Sequence, residues 1–457
     1  MSFSRRTFLV GAGSGLSLLV LAACTDAPVA PSPTPTPTRL GTVPAPSSFH
    51  RSNWAADPYS RGATSFISVG ATPQSLQTLR EPVLDRVFLA GEAISDQPGT
   101  IRGAIDSGAT AARQVLEVAG DDERVAVVGA GAAGAEAARQ LAMRGLDVVV
   151  IEARDRTGGR IDSRRTEAEG TVELGAWRLA DAADAEFIGR LERAGVGVVP
   201  LVGTSAYGAD ATVTEVDGDL EVVAAGIAES VDAAAELPSD VSVAEAIEVD
   251  GLAADLSAED ALLLQRVLAE FAATTGADAG ELSSWYLSRP IGEAVSVADG
   301  PMSAVIDNAL EEREVALSTA VVAVFYDEER VSLRLGTGES LAVDRVILTV
   351  PLGVLKEQAI EFDPSLPLLH RSALDDLTVG HAEVVALEFA EPFWSTEAVV
   401  WLNDDADAAV RLWVNLHPLT GQYLLVGLVG GAAAAELTEL NDDELLVAAQ
   451  RSLAVFA

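Results

Sequence analysis

Gly129-Ala130-Gly131-Ala132-Ala133-Gly134 follows the β-branched run Val125-Ala126-Val127-Val128 and opens a helix-forming stretch through Arg144. Strand, tight turn and helix are thereby compressed into one short segment. Gly129 permits the turn, Gly131 lets the backbone approach a pyrophosphate, and Gly134 lets helix and strand pack closely; the amides of the first helical turn, Ala133 among them, present the positive end of the helix dipole. A second strand, Asp147-Val148-Val149-Val150-Ile151, ends in Glu152. An acid about twenty residues beyond the glycines is placed to accept hydrogen bonds from a ribose. The pattern predicts an α/β fold with a Rossmann-like dinucleotide site.

The 457 residues, 49% of them hydrophobic, suffice for two domains with a cofactor buried between them. A net charge of −39 repels nucleic acid and anionic lipid, so no nucleic-acid partner is expected. Acidity of this kind keeps an exported protein soluble, the reading preferred over a role in attracting cations. Four histidines and one cysteine argue against a metal centre, and a lone cysteine excludes an intramolecular disulfide.

That cysteine has a specific setting. Ser4-Arg5-Arg6-Thr7-Phe8-Leu9 followed by the apolar run Val10 to Ala23 reads as a twin-arginine export signal, too short to span a membrane comfortably. Leu21-Ala22-Ala23-Cys24 reads as a lipobox, with Cys24 acylated after cleavage, and the Pro/Thr/Ser-rich stretch to about residue 46 as an extended tether. The expected location is the extracytoplasmic face of the membrane, held by a lipid anchor. Export of an already folded protein fits a chain that must first acquire a bulky cofactor.

The residues after Glu152 narrow the cofactor. Glu152-Ala153-Arg154-Asp155-Arg156-Thr157-Gly158-Gly159-Arg160-Ile161, then Glu173-Leu174-Gly175-Ala176-Trp177, resembles the signature of the flavin amine oxidases. The resemblance implies FAD, with Glu152 on the adenosine ribose, Arg154 and Arg160 along the diphosphate and ribityl chain beside Ala153 and Gly159, and the Gly175-Ala176 backbone next to the flavin. It also implies a two-domain fold of glutathione-reductase type with a mixed α+β substrate domain.

Segments that close the family's sequence stand first here. Trp54 to Ala63 resembles its Trp-containing loop, Asp85 to Ala93 the strand and turn holding Gly91 and Glu92, and Gly99 to Gly108 the start of its last helix. Thr100 and Ile101 would present that helix's N-terminus to the flavin pyrimidine, and Glu92 would touch the phosphate or ribityl region. Asn441 to Ala457 resembles the helix that in the family precedes the Trp loop. Joining Ala457 to the segment near Pro44 restores the usual order, and Glu117 to Arg124 bridges the old termini. The expectation is a circular permutant; misjoined fragments are the alternative.

Val315 to Val350 alternates as an antiparallel meander, with Val321 where the family's backbone meets adenine. Thr349-Val350-Pro351-Leu352-Gly353-Val354-Leu355-Lys356 also resembles the family, implying that Lys356 reaches flavin N5 through water. Residues 47–180 and 310–362 are expected to form the FAD-binding domain, and 181–309 and 363–457 the substrate domain. Trp285, Tyr286, Trp401 and Trp413 are read either as cavity lining or, more ordinarily, as core. The family's thioether cysteine falls at Ala63, its paired tyrosines at Thr64 and Thr100, and a commonly found lysine at Glu383, so FAD should be held non-covalently and the substrate is left open. The implied reaction is oxidation of a small amine, with hydride passing to flavin N5 and oxygen reduced to peroxide. The rival readings are an amino-acid oxidase or another oxidation on the same fold, with Arg178 or Arg411 binding a carboxylate, and a degenerate lipoprotein without activity.

Overall fold

The central strands of the nucleotide half are apolar on both faces, and this dictates their position. Val125, Ala126, Val127, Val346, Ile347 and Leu348 have no exposed surface. A parallel sheet covered on both sides is where such runs belong, each branched side chain contributing about 1.5–3 kcal/mol by leaving water. In the computed structural model, which describes residues 42–209, 212–216, 220–287 and 294–457, they form a five-stranded parallel sheet. Its order is Glu314–Ala316, Asp147–Ile151, Arg124–Val128, Arg345–Leu348, Val87–Leu89. The export signal, Cys24 and most of the tether lie outside the described residues.

Side chains alternate across this sheet. Ala126, Val149, Val346 and Leu89 face a four-stranded sheet through Val324, Tyr326 and Leu333, a three-stranded antiparallel meander to which Glu361–Asp363 adds in parallel. Val125, Val150, Ile347 and Phe88 face the helices Ile101–Val118, Ala132–Met143 and Ser303–Leu310. The meander is shorter than the sequence alternation implied. It ends at Val343, and Arg345–Leu348 leaves it to pair with Arg124–Val128, because that run is buried on both faces and only the parallel sheet offers two covered sides.

A second, seven-stranded sheet runs Ser48–Arg51, Ala382–Glu388, Leu424–Gly430, Leu412–Asn415, Val400–Asn403, Ser205–Ala209, Thr212–Val216. Val384 and Ala386 face the helices Leu220–Ala234, Val243–Asp250 and Ala258–Thr275, while Val385 and Leu387 face an aromatic cluster under the helix Asp442–Leu453. Ser48–Arg51 was expected within the FAD-binding segment but pairs with Ala382–Glu388 in this sheet. Leu40–Ala457 form one compact unit.

Two joins bring the early segments into register with the rest. Helix Ile101–Val118 passes through residues 119–123 into strand Arg124–Val128. Buried Arg345 clamps this turn, donating to both Glu123 carboxylate oxygens at 2.5 and 2.9 Å and to the Val118 carbonyl at 2.8 Å. At the other join Gln450 Nε2 donates to the Pro44 carbonyl at 2.9 Å and Arg51 to that of Leu440 at 2.7 Å.

Candidate active site

The glycine turn is fixed by backbone contact. Gly129 has φ +107°, and a Cβ on Gly134 would lie 1.9 Å from the Gly129 carbonyl, so helix Ala132–Met143 starts closer to its strand than any side chain permits. The same helix touches the Ile101–Val118 helix at Gly108, where an added Cβ would sit 2.1 Å from the Ala133 carbonyl. Two helix N-termini therefore flank one cavity of about 360 Å³, whose wall includes Gly129, Gly131, Ala133, Thr100 and Ile101.

At the nucleotide end Glu152, 4% exposed, accepts from the amides of Ala130 (2.7 Å) and Arg154 (2.9 Å), which aim its carboxylate beside the glycine turn. Arg154 donates to Asp57 (2.7 Å) and Ser60 (2.8 Å) of the Trp54 loop and lies over the Tyr59 ring. Ala153, Gly159 and Val321 complete this wall with Thr319 and Ala320.

Midway, Arg160 donates to the Ala63 carbonyl (3.0 Å) and to Glu92 (2.9 Å). The other Glu92 oxygen accepts from Ser65 (2.5 Å) and the Gly99 amide (2.7 Å). Glu92 was expected to touch the cofactor's phosphate or ribityl region; both its oxygens are engaged in holding Arg160 and the turn before the Thr100 helix. Thr100 caps that helix, its hydroxyl accepting from the Gly103 amide at 2.8 Å. Gly91, Gly175 and Ala176 line the same stretch, and the Trp54 indole donates to the Leu174 carbonyl at 3.0 Å. Thr64 Oγ1, at the wall, is buried without a hydrogen-bond partner among the described residues.

At the far end Trp177, Arg178, Ala273, Thr274, Ala382, Glu383, Val384 and Leu428 close the cavity. Glu383 is 3% exposed, and burial pushes its carboxyl up to about 7 against the hydrogen bonds from Ser52 and the Trp54 amide that pull it down. Arg178 stands 3.9 Å from Glu270, so an acid already faces it.

Several expectations need correction. Lys356 is absent from the cavity wall; its ammonium donates to the carbonyls of Leu374 (3.1 Å), Asp375 (3.1 Å) and Leu377 (2.7 Å), capping the helix Leu368–Asp376. Those carbonyls lack partners at the helix end and carry its negative dipole, which is what draws a cation there. In this structure the Lys356 ammonium is engaged at that helix end and not at the cavity wall. Trp401 and Trp413 are fully buried core, the more ordinary of their two readings, their indoles donating to the Ala398 and Val410 carbonyls, and Trp285 donates to Ala234. None of these, nor Tyr286, lines the cavity; Trp54, Tyr59 and Trp177 do. Arg411 lies off the wall and donates to the Asn403 carbonyl. Gly134 is likewise off the wall, consistent with packing. Thr349, Thr274, Ser52 and the cavity position of Glu383 were missed. Only for Glu383, an acid opening an otherwise apolar strand, was there a signal.

The shape fits FAD. One cavity joins two helix N-termini, a ribose-side acid and a largely apolar end, with an unsatisfied hydroxyl, that of Thr64, in its wall. Glu152, the glycine-turn amides and Arg160 would hold the cofactor's nucleotide and linker, and Ala176 and Thr100 its ring end.

Residues 38–116 and 271–457 match the family described as flavin containing amine oxidoreductase, and residues 127–186 match the NAD(P)-binding Rossmann-like domain. Polyamine oxidase 3 of Oryza sativa subsp. japonica is 29% identical over 69% of this chain and 70% of its own. Lysine-specific histone demethylase 1 homolog 1 of Arabidopsis thaliana is 30% identical over 69% of this chain and 40% of its own. Wild-type putrescine oxidase solved with putrescine bound shares the fold at a TM-score of 0.58 and 20% identity, covering 73% of this chain and 81% of that one. The chain belongs to the flavin containing amine oxidoreductases, and is an enzyme of FAD-dependent amine oxidation.

Proposed function

We propose that the substrate is a small aliphatic amine, oxidised at the carbon next to nitrogen to an imine that water then hydrolyses, with oxygen as the final acceptor and hydrogen peroxide as product. The observation that carries this reading is the far end of the cavity, where Trp177, Ala273, Val384 and Leu428 give apolar surface around the buried acid Glu383. Relatives named polyamine oxidase and putrescine oxidase support the substrate class.

Bound FAD supplies the two-electron acceptor for a hydride. The chain's own contribution is position and environment. The N-terminus of helix Ile101–Val118 offers amides where negative charge develops, Arg160 is pre-oriented by Glu92, and the apolar walls exclude water, so each acts without reorganising. An amino-acid oxidase would need a cation for the carboxylate, and Glu270 already faces Arg178. FAD is held non-covalently on this reading: Ala63 stands where a thioether would form, and the sole cysteine is Cys24.

The protein is further proposed to be a twin-arginine lipoprotein anchored through Cys24, and a circular permutant of its family. Supporting the permuted order, Val87–Leu89 and Ile101–Val118 precede the glycine turn in sequence yet supply the edge of its sheet and a wall of its cavity. The test of the activity is an anaerobic panel of mono-, di- and polyamines and amino acids added to the purified holoprotein. Bleaching of the flavin band by an amine, with peroxide on readmitting air, is expected; bleaching by amino acids alone would overturn the substrate class.

A further inference from the structure

We infer that Glu383 is the base that takes a proton from the incoming ammonium group, and that Ser52 passes that proton to a second, solvent-open cleft behind the Trp54 loop. The inference rests on the amine-oxidation reading and deepens it.

Glu383 opens a strand that is otherwise apolar through Leu387, and it forms part of the cavity wall between Ala382 and Val384. A buried carboxyl persists only with donors around it. Here they are neutral: the Trp54 amide donates to Oε1 at 2.8 Å and the Ser52 hydroxyl donates to Oε2. The charged group nearest in effect is Arg51 on the neighbouring strand, whose guanidinium is held by the Leu437, Leu440 and Ser52 carbonyls and by Asp442. The facing strand Leu424–Gly430 carries no ionisable residue, and helix Ala258–Thr275 presents Ala273 and Thr274 to the cavity. Glu436 on helix Gly431–Leu437 is exposed, His50 lies on the same strand as Arg51, and Arg178 across the cavity faces Glu270. Glu383 thus has no ion-pair partner among the described residues, while its position suits a cation.

An alkylammonium has no lone pair and cannot release hydride from its neighbouring carbon; the free amine can. Transfer breaks one N–H bond of the ammonium and forms one O–H bond on the carboxylate, leaving both partners neutral in a dry cavity. Burial that raises the Glu383 carboxyl to about 7 makes it both able to take that proton and able to release it near neutrality. Ser52 provides the exit. Its oxygen accepts from the Val384 amide at 2.8 Å, and the residue also lines the second cleft with Arg51, Asp162 and Arg164. When Glu383 is protonated the hydroxyl can turn to accept from it and donate to water in that cleft.

The test uses the flavin-loaded enzyme. In the wild type, kcat/KM for the amine found by the panel rises to a plateau above about pH 7, and an infrared titration of the resting enzyme shows buried-carboxyl intensity lost over the same range, Glu173 and Glu383 both contributing. Glu383→Gln is expected to remove the Glu383 share of that intensity and leave the Glu173 share, to lower kcat/KM at neutral pH by roughly 100-fold, and to give a profile that climbs towards the amine's own pKa. Ser52→Ala, which keeps the Trp54 donor, should move both the Glu383 share and the acidic limb to higher pH together. Unchanged profiles in both variants, or buried-carboxyl intensity undiminished in Glu383→Gln, would overturn the assignment. If no amine reduces the wild-type flavin, the parent reading fails and this one falls with it; if amines do and the profiles match, only this one fails.

Discussion

The two ends of the cavity are built differently. The nucleotide end comes mostly from one continuous stretch, residues 124–161, whose turn and ribose-side acid are held by near neighbours: Glu152 by the Ala130 and Arg154 amides, Gly134 by contact with Gly129. The amine end is assembled from distant pieces, the Trp54 loop, Trp177, Ala273-Thr274 and the strands at Ala382 and Leu428, and it contains a buried carboxyl held only by neutral donors. Local chemistry can be read along a chain; convergence of remote pieces cannot. The nucleotide end should therefore be intolerant of any added volume, and the amine end should be sensitive to pH.

The largest expected effect is at the nucleotide end. Gly134→Val places side-chain atoms inside the Gly129 carbonyl and should cost more than about 4 kcal/mol, yielding no folded, flavin-loaded protein. Recovery of yellow, soluble protein would break the claim that this contact sets the site.

Next is the pair that joins the two ends. Glu92→Ala strands Arg160 half-buried beside the Ala63 carbonyl, and about 3 kcal/mol of stability should be lost. Flavin content should fall with it, measured as absorbance against protein concentration. Stability loss without flavin loss would make the pair structural only.

The amine end should then reveal itself in the pH dependence of unfolding. Glu173 and Glu383 are both raised from 4.5 to about 7 by burial, so the native state binds protons that the unfolded chain has released. Their contribution is complete below pH 4.5 and declines as pH rises to about 7, by roughly 3 kcal/mol each at the full shift. Glu136 runs the other way, its carboxyl held low by Arg139, Gln140 and Arg190 despite burial, and acts only as pH falls below the ordinary range. Denaturant midpoints between pH 5 and 8 should fall less steeply in Glu383→Gln. An unchanged slope would mean that the carboxyl is not raised.

Smallest is Lys356→Met. Removing three donors from the end of helix Leu368–Asp376 should cost about 1–2 kcal/mol, with anaerobic flavin reduction by an amine changed less than about threefold. A hundredfold loss of that rate would restore the lysine to the chemistry.

This last residue shows what the sequence could and could not disclose. The Val-Pro-Leu-Gly-Val-Leu-Lys string is legible as a segment ending beside the cavity, and Pro351 and Val354 do line it. The direction of the Lys356 side chain depends instead on where a helix twelve residues further on ends. Trp401 and Trp413 followed the same rule: aromatics in strand-like runs face whichever side the second sheet covers, here the cluster around Phe456. The strand Arg345–Leu348 read as the end of a meander because alternation is local, while its pairing with Arg124–Val128 is not. Glu152 and the glycine turn were legible because their partners lie within about thirty residues, the span of one strand–helix–strand unit, whereas the partners of Arg154 and Arg160 come from the distant Trp54 loop and from Glu92.

The most direct test of the account is the flavin content of the purified protein. An equimolar FAD, visible in the oxidised protein and released into solution by denaturation, is the result predicted by a cavity lined by segments from both before and after the glycine turn, with no thiol at its ring end. A folded but colourless protein that takes up no FAD on incubation would contradict it.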